Sequence, residues 1–274
     1  MTSTSFETHS FQTIRLERRA GVAWLTLARP DRGNAINGVM SRELPQAWDA
    51  IRTDPGIAVA VVTGDGDRAF CTGFDVADVA SGTASVGAPE AKGTLAMLRF
   101  TALQNRCWKP VITAVNGMVT GGGLHFVADS DLVIASDRAT FFDNHVRVGL
   151  VSGAEPIGLA RRAPLEGVLR MAFLGGAERL DAVRARASGL CSEVVPHARL
   201  GERAAELAAA ICENSPTALA RTKQAIWESL DLGLSDALEL GWKVIDGYRG
   251  HPDAAEGARA FAERRKPRWQ PLSV

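Results

Sequence analysis

Apolar and polar residues alternate near the start of the chain in the way that a half-buried β-strand requires. The alternation runs through residues 11–17 and again through residues 22–28, with Arg19-Ala20-Gly21 between the two runs. A short turn between two alternating runs predicts a β-hairpin. Arg29-Pro30 ends the second run.

A helix, a buried strand and a loop are predicted next. Four apolar residues recur at the spacing of one helical face: Leu44, Ala47, Trp48 and Ile51. The apolar run 59–63 predicts a buried strand. The glycines of segment 64–67 predict a tight turn, because the segment lacks the third glycine and the lysine of a phosphate-binding loop. Residues 76–95 are typical of a loop, and residues 95–105 predict a helix.

The middle of the chain repeats the same order of elements. Apolar residues 111–115 pass through Asn116-Gly117 and reach three consecutive glycines, after which residues 124–128 read as the start of a helix. Residues 132–135 form a further apolar strand. The repetition of strand, strand and helix favours an α/β fold.

The composition changes after about residue 196, where Ala, Leu, Glu and Arg become frequent. Three amphipathic helices are predicted there: one through Leu200, Ala204, Leu207 and Ile211, one over residues 219–230 and one over residues 254–264. Because no strand lies between them, we interpret residues 196–274 as a helical module that follows a core over residues 1–195. The alternative is a helical lid on that core.

The overall charge excludes some classes of partner. The 274 residues include 31 Lys and Arg against 31 Asp and Glu, so no global basic field attracts nucleic acid or an anionic membrane. No stretch approaches the ~20 apolar residues of a membrane span, and the charged N-terminal segment does not resemble a secretory signal. Four cysteines without CxxC spacing indicate reduced thiols. We therefore expect a cytoplasmic protein that binds neither nucleic acid nor membrane.

The strongest chemical signal comes from two segments, residues 70–75 and residues 115–125. In the second, glycines lie where a helix begins, and N–H groups in a first helical turn have no intrahelical partner. A substrate oxygen can approach these donors closely because glycine has no Cβ atom. Such donors can form an oxyanion hole, in which N–H groups stabilise a negatively charged oxygen.

Both segments resemble those of the crotonase family, the enoyl-CoA hydratase/isomerase superfamily. The resemblance covers nearly the whole chain, in residues 29–30, 34–35, 61–64, 69–75, 109–123, 131–135, 187–190 and 263–266. It implies a spiral core of repeated ββα units, with C-terminal helices that assemble a homotrimer or a dimer of trimers. It also implies an acyl-CoA substrate whose thioester carbonyl is held by the backbone N–H groups of Phe74 and Gly122.

Histidines replace the two glutamates that move protons in the hydratases of this family. His125 lies three residues after Gly122, and His145 lies twenty residues further on. An imidazole is both a competent acid and a competent base near neutral pH. Two charged rings at one thioester would repel each other, so one neutral and one protonated ring is expected. The alternative is that one or both rings are structural.

Three acidic or amide residues are further candidates. Glu155 lies in segment 152–156, whose counterpart in the family is near the acyl end of the substrate, although an acid there is also typical of a helix N-terminus. Asp143 and Asn144 are placed to orient the ring of His145, or are solvated loop residues. The two histidines form no metal-binding motif.

The resemblance implies that coenzyme A is bound as part of the substrate and that no cofactor is held permanently. The positions that it marks as contacts are Asn34, Ala35, Gly73, Asp75 and Gly121, with Arg264, Arg265 and Lys266 as candidate cations on the C-terminal helix. A basic helix end is also expected from the helix dipole alone. Arg32 is a candidate substitute for a family lysine that is Ala77 in this chain.

Three functional classes are consistent with these residues. The first is a hydratase or isomerase of an enoyl-CoA, in which imidazoles do the work of the glutamates. The second is a hydrolase that cleaves a CoA thioester or a C–C bond of a β-diketone. The third is a catalytically weak acyl-CoA binding protein. An enzyme is favoured because titratable side chains occupy both proton-transfer positions.

Overall fold

The computed structural model describes residues 11–75 and 98–272. The loop predicted over residues 76–95 lies outside these residues. The helix predicted over residues 95–105 is wrong in its described part, because residues 101–106 form a turn. Arg106 ends this turn with φ of 52°, a left-handed conformation that cannot continue a right-handed helix.

Ten β-strands lie in the described residues. They are Ile14–Arg19 (β1), Val22–Leu27 (β2), Val59–Gly64 (β3), Ala69–Cys71 (β4), Val111–Val115 (β5), Met118–Thr120 (β6), Leu132–Ser136 (β7), Thr140–Phe142 (β8), Leu180–Asp181 (β9) and Glu193–Val195 (β10). One sheet has the order β1-β2-β3-β5-β7-β10, and a second has the order β4-β6-β8-β9. The predicted hairpin is β1 and β2, and the three other predicted strands are confirmed as β3, β5 and β7.

Nine α-helices lie in the same part of the chain. They are Gly38–Thr53 (α1), Leu124–Ala128 (α2), Ala154–Leu159 (α3), Leu165–Leu174 (α4), Ala182–Ala187 (α5), Leu200–Cys212 (α6), Pro216–Ser229 (α7), Leu234–Tyr248 (α8) and Pro252–Ala262 (α9). The predicted apolar face of α1 is buried in the core. None of these nine helices is long and apolar enough to cross a bilayer.

The three helices predicted after residue 196 are confirmed as α6, α7 and α9, but their number is wrong, since four are present among the described residues. The helix that was missed is α8. Its apolar residues recur at helical spacing and could have predicted it: Leu234, Leu238, Trp242 and Ile245.

A repeated unit connects the two sheets. In each unit one strand joins the larger sheet and the next strand joins the smaller sheet, as in β3 with β4, β5 with β6 and β7 with β8. The strands contributed by successive units are parallel within both sheets. This is the mixed α/β architecture of ββα units, followed by C-terminal helices, that the sequence predicts.

The larger sheet is buried on both faces. Val62 of β3 lies in the main core with α1 and α2, whereas its neighbour Val61 packs on the opposite face against α6. Leu200, Ala204 and Ala208 form the buried side of α6. The first helix after residue 196 therefore packs against the sheet of the same chain, and the division of the chain at residues 195 and 196 stays a prediction.

Candidate active site

The two glycine-containing segments meet at the end of the smaller sheet. They follow β4 and β6, which are parallel neighbours, so the chain leaves both strands on the same side. Gly73 has φ of 86°, and a Cβ atom on it would lie 3.0 Å from the backbone nitrogen of Gly122. Only glycine allows this approach of one backbone to the other.

The backbone N–H groups of Phe74 and Gly122 are both left out of the local secondary structure. Ile36 forms a parallel bridge opposite Phe74, but its hydrogen bonds go to Gly73 and Asp75, at 2.8 and 3.0 Å. The N–H of Phe74 therefore lies outside that bridge. Gly122 is in the first turn of a 3₁₀ helix over Gly121–Gly123, where an N–H has no partner within the helix.

His125 is buried on α2, one turn after Gly122, with 4% of its surface exposed. Its Nδ1 atom lies 3.2 Å from Nε2 of Gln104. The ring of Phe100 packs edge-on against the imidazole, with the ring centroids 6.1 Å apart. The other ring nitrogen, Nε2, is buried and has no hydrogen-bond partner among the described residues.

His145 is held by a carboxylate in the loop after β8. Its Nδ1 lies 2.7 Å from Oδ1 of Asp143, and its backbone N–H donates to the same oxygen at 3.1 Å. The Ser152 hydroxyl donates to the other oxygen of Asp143. The hydrogen bond to Asp143 raises the pKa of His145, against the opposite effect of burial. Burial acts to raise the pKa of Asp143, but the hydrogen bonds from His145 and Ser152 bring it below its ordinary value.

Glu155 lies between the two histidine rings. It is in the first turn of α3 and is 4% exposed. Its Oε1 atom lies 3.4 Å from Nε2 of His125 and 3.9 Å from Nε2 of His145. The structure thus brings together all three side chains that the sequence marks as candidate acids and bases. Asp143 takes the predicted orienting place beside His145, whereas the side chain of Asn144 points towards Gly176.

This cluster lies beside the glycine turns. A Cβ atom on Gly121 would be 3.6 Å from Cε1 of His145, so the ring packs against the turn that carries Gly122. The Phe74 ring packs edge-on against Phe100, which in turn contacts His125. Backbone N–H groups can bind a polarised oxygen, and two imidazoles with one carboxylate beside them can exchange protons with a neighbouring carbon.

A cavity of about 660 Å³ opens beside Phe74. Its described lining includes Ala35, Asp75 and Thr120 from the predicted segments and their surroundings, and three arginines: Arg32, Arg147 and Arg179. Arg179 lies over the ring of Phe142, with its guanidinium carbon 4.3 Å from the ring centroid. Among the described residues none of the three arginines forms an ion pair, so this cavity can bind an anionic ligand.

Arg147 and Arg179 were missed by the sequence analysis. Each lies close to residues that stand out in the sequence. Arg147 is two residues after His145, and Arg179 comes shortly after the glycine pair Gly175-Gly176. Their convergence with Arg32 depends on the fold, because more than 100 residues separate Arg32 from the other two.

Two residues that are predicted to contact coenzyme A, Asn34 and Asp75, form bonds within the protein. The buried amide of Asn34 accepts from the N–H of Arg29 and donates to the carbonyls of Asp65 and Ala69. The Asp75 carboxylate forms a 2.9 Å ion pair with Arg29. These contacts hold the first loop against the turn after β4, and direct contact with coenzyme A stays a prediction.

The three C-terminal cations lie after α9, which ends at Ala262, and not on that helix as the sequence analysis expects. Arg265 pairs with Glu256 and Glu263, Lys266 pairs with Glu213 at 3.2 Å, and Arg264 is exposed. None of the three belongs to the described lining of the cavity beside Phe74. A contact with coenzyme A from these residues therefore stays a prediction.

Cys71, beside the first glycine turn, is fully buried. Burial raises the pKa of its thiol to about 12. The thiol is therefore protonated at neutral pH and fills space in the core, as its sequence context indicates.

Comparison with known proteins decides the family. A family model described as enoyl-CoA hydratase/isomerase matches residues 17–271. The chain belongs to the enoyl-CoA hydratase/isomerase family. Proteins of this family act on CoA thioesters, which identifies the general class of substrate.

Individual relatives match over almost their full length. The chain is 34% identical to (E)-benzylidenesuccinyl-CoA hydratase of Thauera aromatica, with 94% of this chain and 98% of the relative covered. It is 32% identical to carnitinyl-CoA dehydratase of Proteus mirabilis, with the same coverage. The crystal structure of an enoyl-CoA hydratase/isomerase from Mycobacterium paratuberculosis is 40% identical, with a TM-score of 0.86 and coverage of 96% and 100%. The fold is therefore that of known enoyl-CoA hydratase/isomerase structures.

Proposed function

We propose that this member of the enoyl-CoA hydratase/isomerase family adds water to an α,β-unsaturated acyl-CoA, or removes water from the corresponding 3-hydroxyacyl-CoA. The observation that carries the proposal is the position of the Glu155 carboxylate between His125 and His145, beside the two glycine turns. The names of two relatives, a hydratase and a dehydratase, describe one type of reaction in its two directions.

The N–H groups of Phe74 and Gly122 hold the thioester oxygen in this proposal. Addition of water at the β-carbon moves the electrons of the double bond to the α-carbon and the thioester carbonyl, which becomes an enolate. Two preorganised donors bind the enolate oxygen more strongly than the neutral carbonyl, and one such donor is typically worth about 10²- to 10³-fold in rate. Glycine at position 73 lets its backbone approach the backbone nitrogen of Gly122, so that the two donors can lie close together.

Glu155 and His145 move the protons. Glu155 accepts a proton from water while the water oxygen bonds to the β-carbon. His145 is protonated and gives its Nε2 proton to the α-carbon, a role that suits a ring whose pKa is raised by Asp143. Transfer of a proton from Glu155 to His145 through one water, between atoms that are 3.9 Å apart, restores the starting state.

The arginine-lined cavity takes the phosphates of coenzyme A. Guanidinium groups bind phosphate with paired hydrogen bonds, and Arg32, Arg147 and Arg179 offer three of them beside Phe74. The thioester end then reaches the glycine turns, since Phe74 belongs to both the cavity and the oxyanion site.

The proposed assembly is a trimer or a dimer of trimers. One face of α8 exposes large apolar side chains to solvent in the single chain: Leu234, Leu238, Trp242 and Ile245. An exposed apolar stripe of this kind is typical of a surface that another subunit covers.

The reaction is tested by incubating the purified protein with crotonyl-CoA, longer enoyl-CoA esters, 3-hydroxyacyl-CoA esters, 3-ketoacyl-CoA esters and a β-diketone, with products read by mass. The proposal expects a gain of one water by an enoyl-CoA, with the oxygen derived from ¹⁸O-labelled solvent. Free coenzyme A or cleaved carbon chains would instead identify a hydrolase. Tight ester binding without turnover across the panel would identify a binding protein.

A further inference from the structure

The side-chain amide of Gln104 is fixed in one orientation by its surroundings. Its Oε1 accepts a hydrogen bond from the backbone N–H of Phe100 at 2.8 Å and a second from Thr101 at 3.3 Å. A backbone N–H can only donate, so the atom that faces these two groups is the oxygen. The amide nitrogen of Gln104 therefore points to the opposite side.

The amide nitrogen faces His125 and Asp129. Gln104 Nε2 lies 3.2 Å from Nδ1 of His125. Burial raises the pKa of Asp129, and its contacts with His125, Thr101 and Gln104 oppose that rise. An amide nitrogen only donates, so the Nδ1 atom that it meets is an acceptor. A proton on Nδ1 would place two donors against each other.

We propose that Gln104 is a positioning residue that keeps His125 neutral, with the single ring proton on Nε2. The Nε2 atom is buried, has no hydrogen-bond partner among the described residues and lies 3.4 Å from Oε1 of Glu155. Its N–H is therefore an unused donor beside Glu155, available to that carboxylate, to water or to a substrate oxygen.

This inference rests on the proposed function and assigns different roles to the three side chains. A neutral ring with its proton on Nε2 cannot accept a second proton there, so His125 orients and stabilises oxygen atoms while Glu155 and His145 exchange protons. The titratable groups around the His125 ring are Glu155 and Asp129, with His145 beyond Glu155. Without the donor of Gln104, the Nδ1 atom of His125 is free to take a proton.

The state of the ring can be measured without substrate. Protein labelled with ¹⁵N in its five histidine rings is sedimented and studied by solid-state NMR, and the His125 signals are assigned by their loss in His125→Phe. We expect an unprotonated Nδ1 and a protonated Nε2 at neutral pH. A proton on Nδ1, or a doubly protonated ring, overturns the inference.

Two variants separate orientation from simple packing. Gln104→Glu keeps an acceptor for Phe100 and Thr101 but replaces the donor facing His125 with an acceptor, so we expect Nδ1 to become protonated. Gln104→Met removes both interactions at similar size, and we expect the single ring proton to be shared between Nδ1 and Nε2. Gln270→Glu, at an exposed position, is the matched control and leaves the ring signals unchanged.

Kinetics supply the second readout. We expect Gln104→Glu and Gln104→Met to lower kcat by about 10- to 100-fold, the typical cost of misplacing a catalytic group, while KM for the CoA ester changes little. If Gln104→Glu does not fold, as judged by thermal unfolding, Gln104→Met carries the comparison.

The outcomes distinguish this inference from the proposed function. If the parent protein hydrates no enoyl-CoA, the proposed function fails, while the NMR spectrum still reports the ring proton. A His125 spectrum that is identical in the parent, Gln104→Glu and Gln104→Met overturns the inference even if the hydratase activity is present.

Discussion

The Nε2 atom of His125 lies 3.4 Å from Oε1 of Glu155, and both side chains are almost fully removed from solvent. A buried carboxylate needs nearby donors, because an isolated buried charge is costly. His125 comes from α2, the helix that begins just after Gly122, whereas Glu155 comes from α3. The relationship therefore places the ring that we propose to be a donor beside the carboxylate that we propose to be the proton acceptor.

Asp143→Asn is expected to move the pH dependence of kcat. The hydrogen bond to Asp143 raises the pKa of His145, so its loss lowers that pKa and His145 gives up its proton at lower pH. Because His145 acts as an acid in the proposal, the basic limb of the kcat profile shifts to lower pH, by about tenfold in rate per pKa unit. Asp236→Asn, at an exposed position of α8, is the control and keeps the parental profile.

The same variant has a defined effect on stability. His145 has a raised pKa, so its contribution is complete below its ordinary value of 6.5 and is lost as pH rises through the raised pKa. Asp143 has a lowered pKa, so its contribution is complete above 3.8 and is lost as pH falls through the lowered pKa. The difference in unfolding free energy between parent and Asp143→Asn should be largest between these values. A difference that grows above pH 6.5 would contradict this assignment.

Gly73→Ala should disable the proposed oxyanion site. Its Cβ atom would lie 3.0 Å from the nitrogen of Gly122, so one of the two donors must move, and we expect kcat to fall by about 10²- to 10³-fold. Gly149→Ala is a matched control, because Gly149 also has positive φ but its Cβ atom would have no neighbour within 4 Å. Both variants carry the strain of alanine at positive φ, about 1–2 kcal/mol. Equal kcat values for the two variants would exclude a special role for the Gly73 turn.

Arg147→Ala and Arg179→Ala are expected to weaken binding of the coenzyme A part of the substrate. Loss of a charged hydrogen bond costs about 1.5–3 kcal/mol, so KM should rise by roughly tenfold or more for a CoA ester. KM for the matching pantetheine thioester, which lacks the nucleotide phosphates, should not change. Arg138→Ala, at an exposed position outside the described lining of the cavity, is the control. Equal losses for both esters would argue against phosphate binding.

Leu238→Asp is expected to disrupt the proposed assembly. Leu238 lies in the exposed apolar stripe of α8 and is 66% exposed in the single chain. A charge there opposes burial against another subunit, so light scattering should report a smaller particle than for the parent protein. Lys243→Asp changes a residue on the opposite side of α8 and should leave the particle mass unchanged. A monomeric parent protein at micromolar concentration would refute the assembly.

Local patterns predicted five of the six strands of the larger sheet but none of the strands of the smaller sheet. The strands β3, β5 and β7 were visible because parallel strands buried on both faces read as continuous apolar runs. The turn at residues 101–106 was not predicted, because it depends on the hydrogen bonds that the Gln104 side chain accepts from backbone N–H groups. Such bonds leave no hydrophobic period in the sequence.

The site was predictable only in part. His125 and His145 were found because they occupy positions that a family motif marks, but Glu155 could not be separated from an ordinary helix N-terminus by sequence alone. Its distances to both rings depend on the packing of α2 against α3. Gln104 carried no signal, because its contact with His125 spans 21 residues and passes through a turn that resembled a helix.

Glu155→Gln tests the proton-transfer account with the least change of shape. Replacing the carboxylate with an amide removes the proposed base, and we expect kcat to fall by about 10²- to 10⁴-fold while ester binding is largely kept. Glu166→Gln is the matched control, because Glu166 is an exposed acid in the first turn of the neighbouring helix α4. The control should retain the parental kcat.

The most direct measurement is the incorporation of solvent deuterium during turnover of crotonyl-CoA in D₂O. The account predicts that the parent protein and Glu166→Gln produce 3-hydroxybutyryl-CoA with one deuterium at the α-carbon, and that Glu155→Gln forms this product far more slowly. Product without α-deuterium, or formation by Glu155→Gln at the parental rate, would contradict proton transfer by the Glu155 and His145 pair.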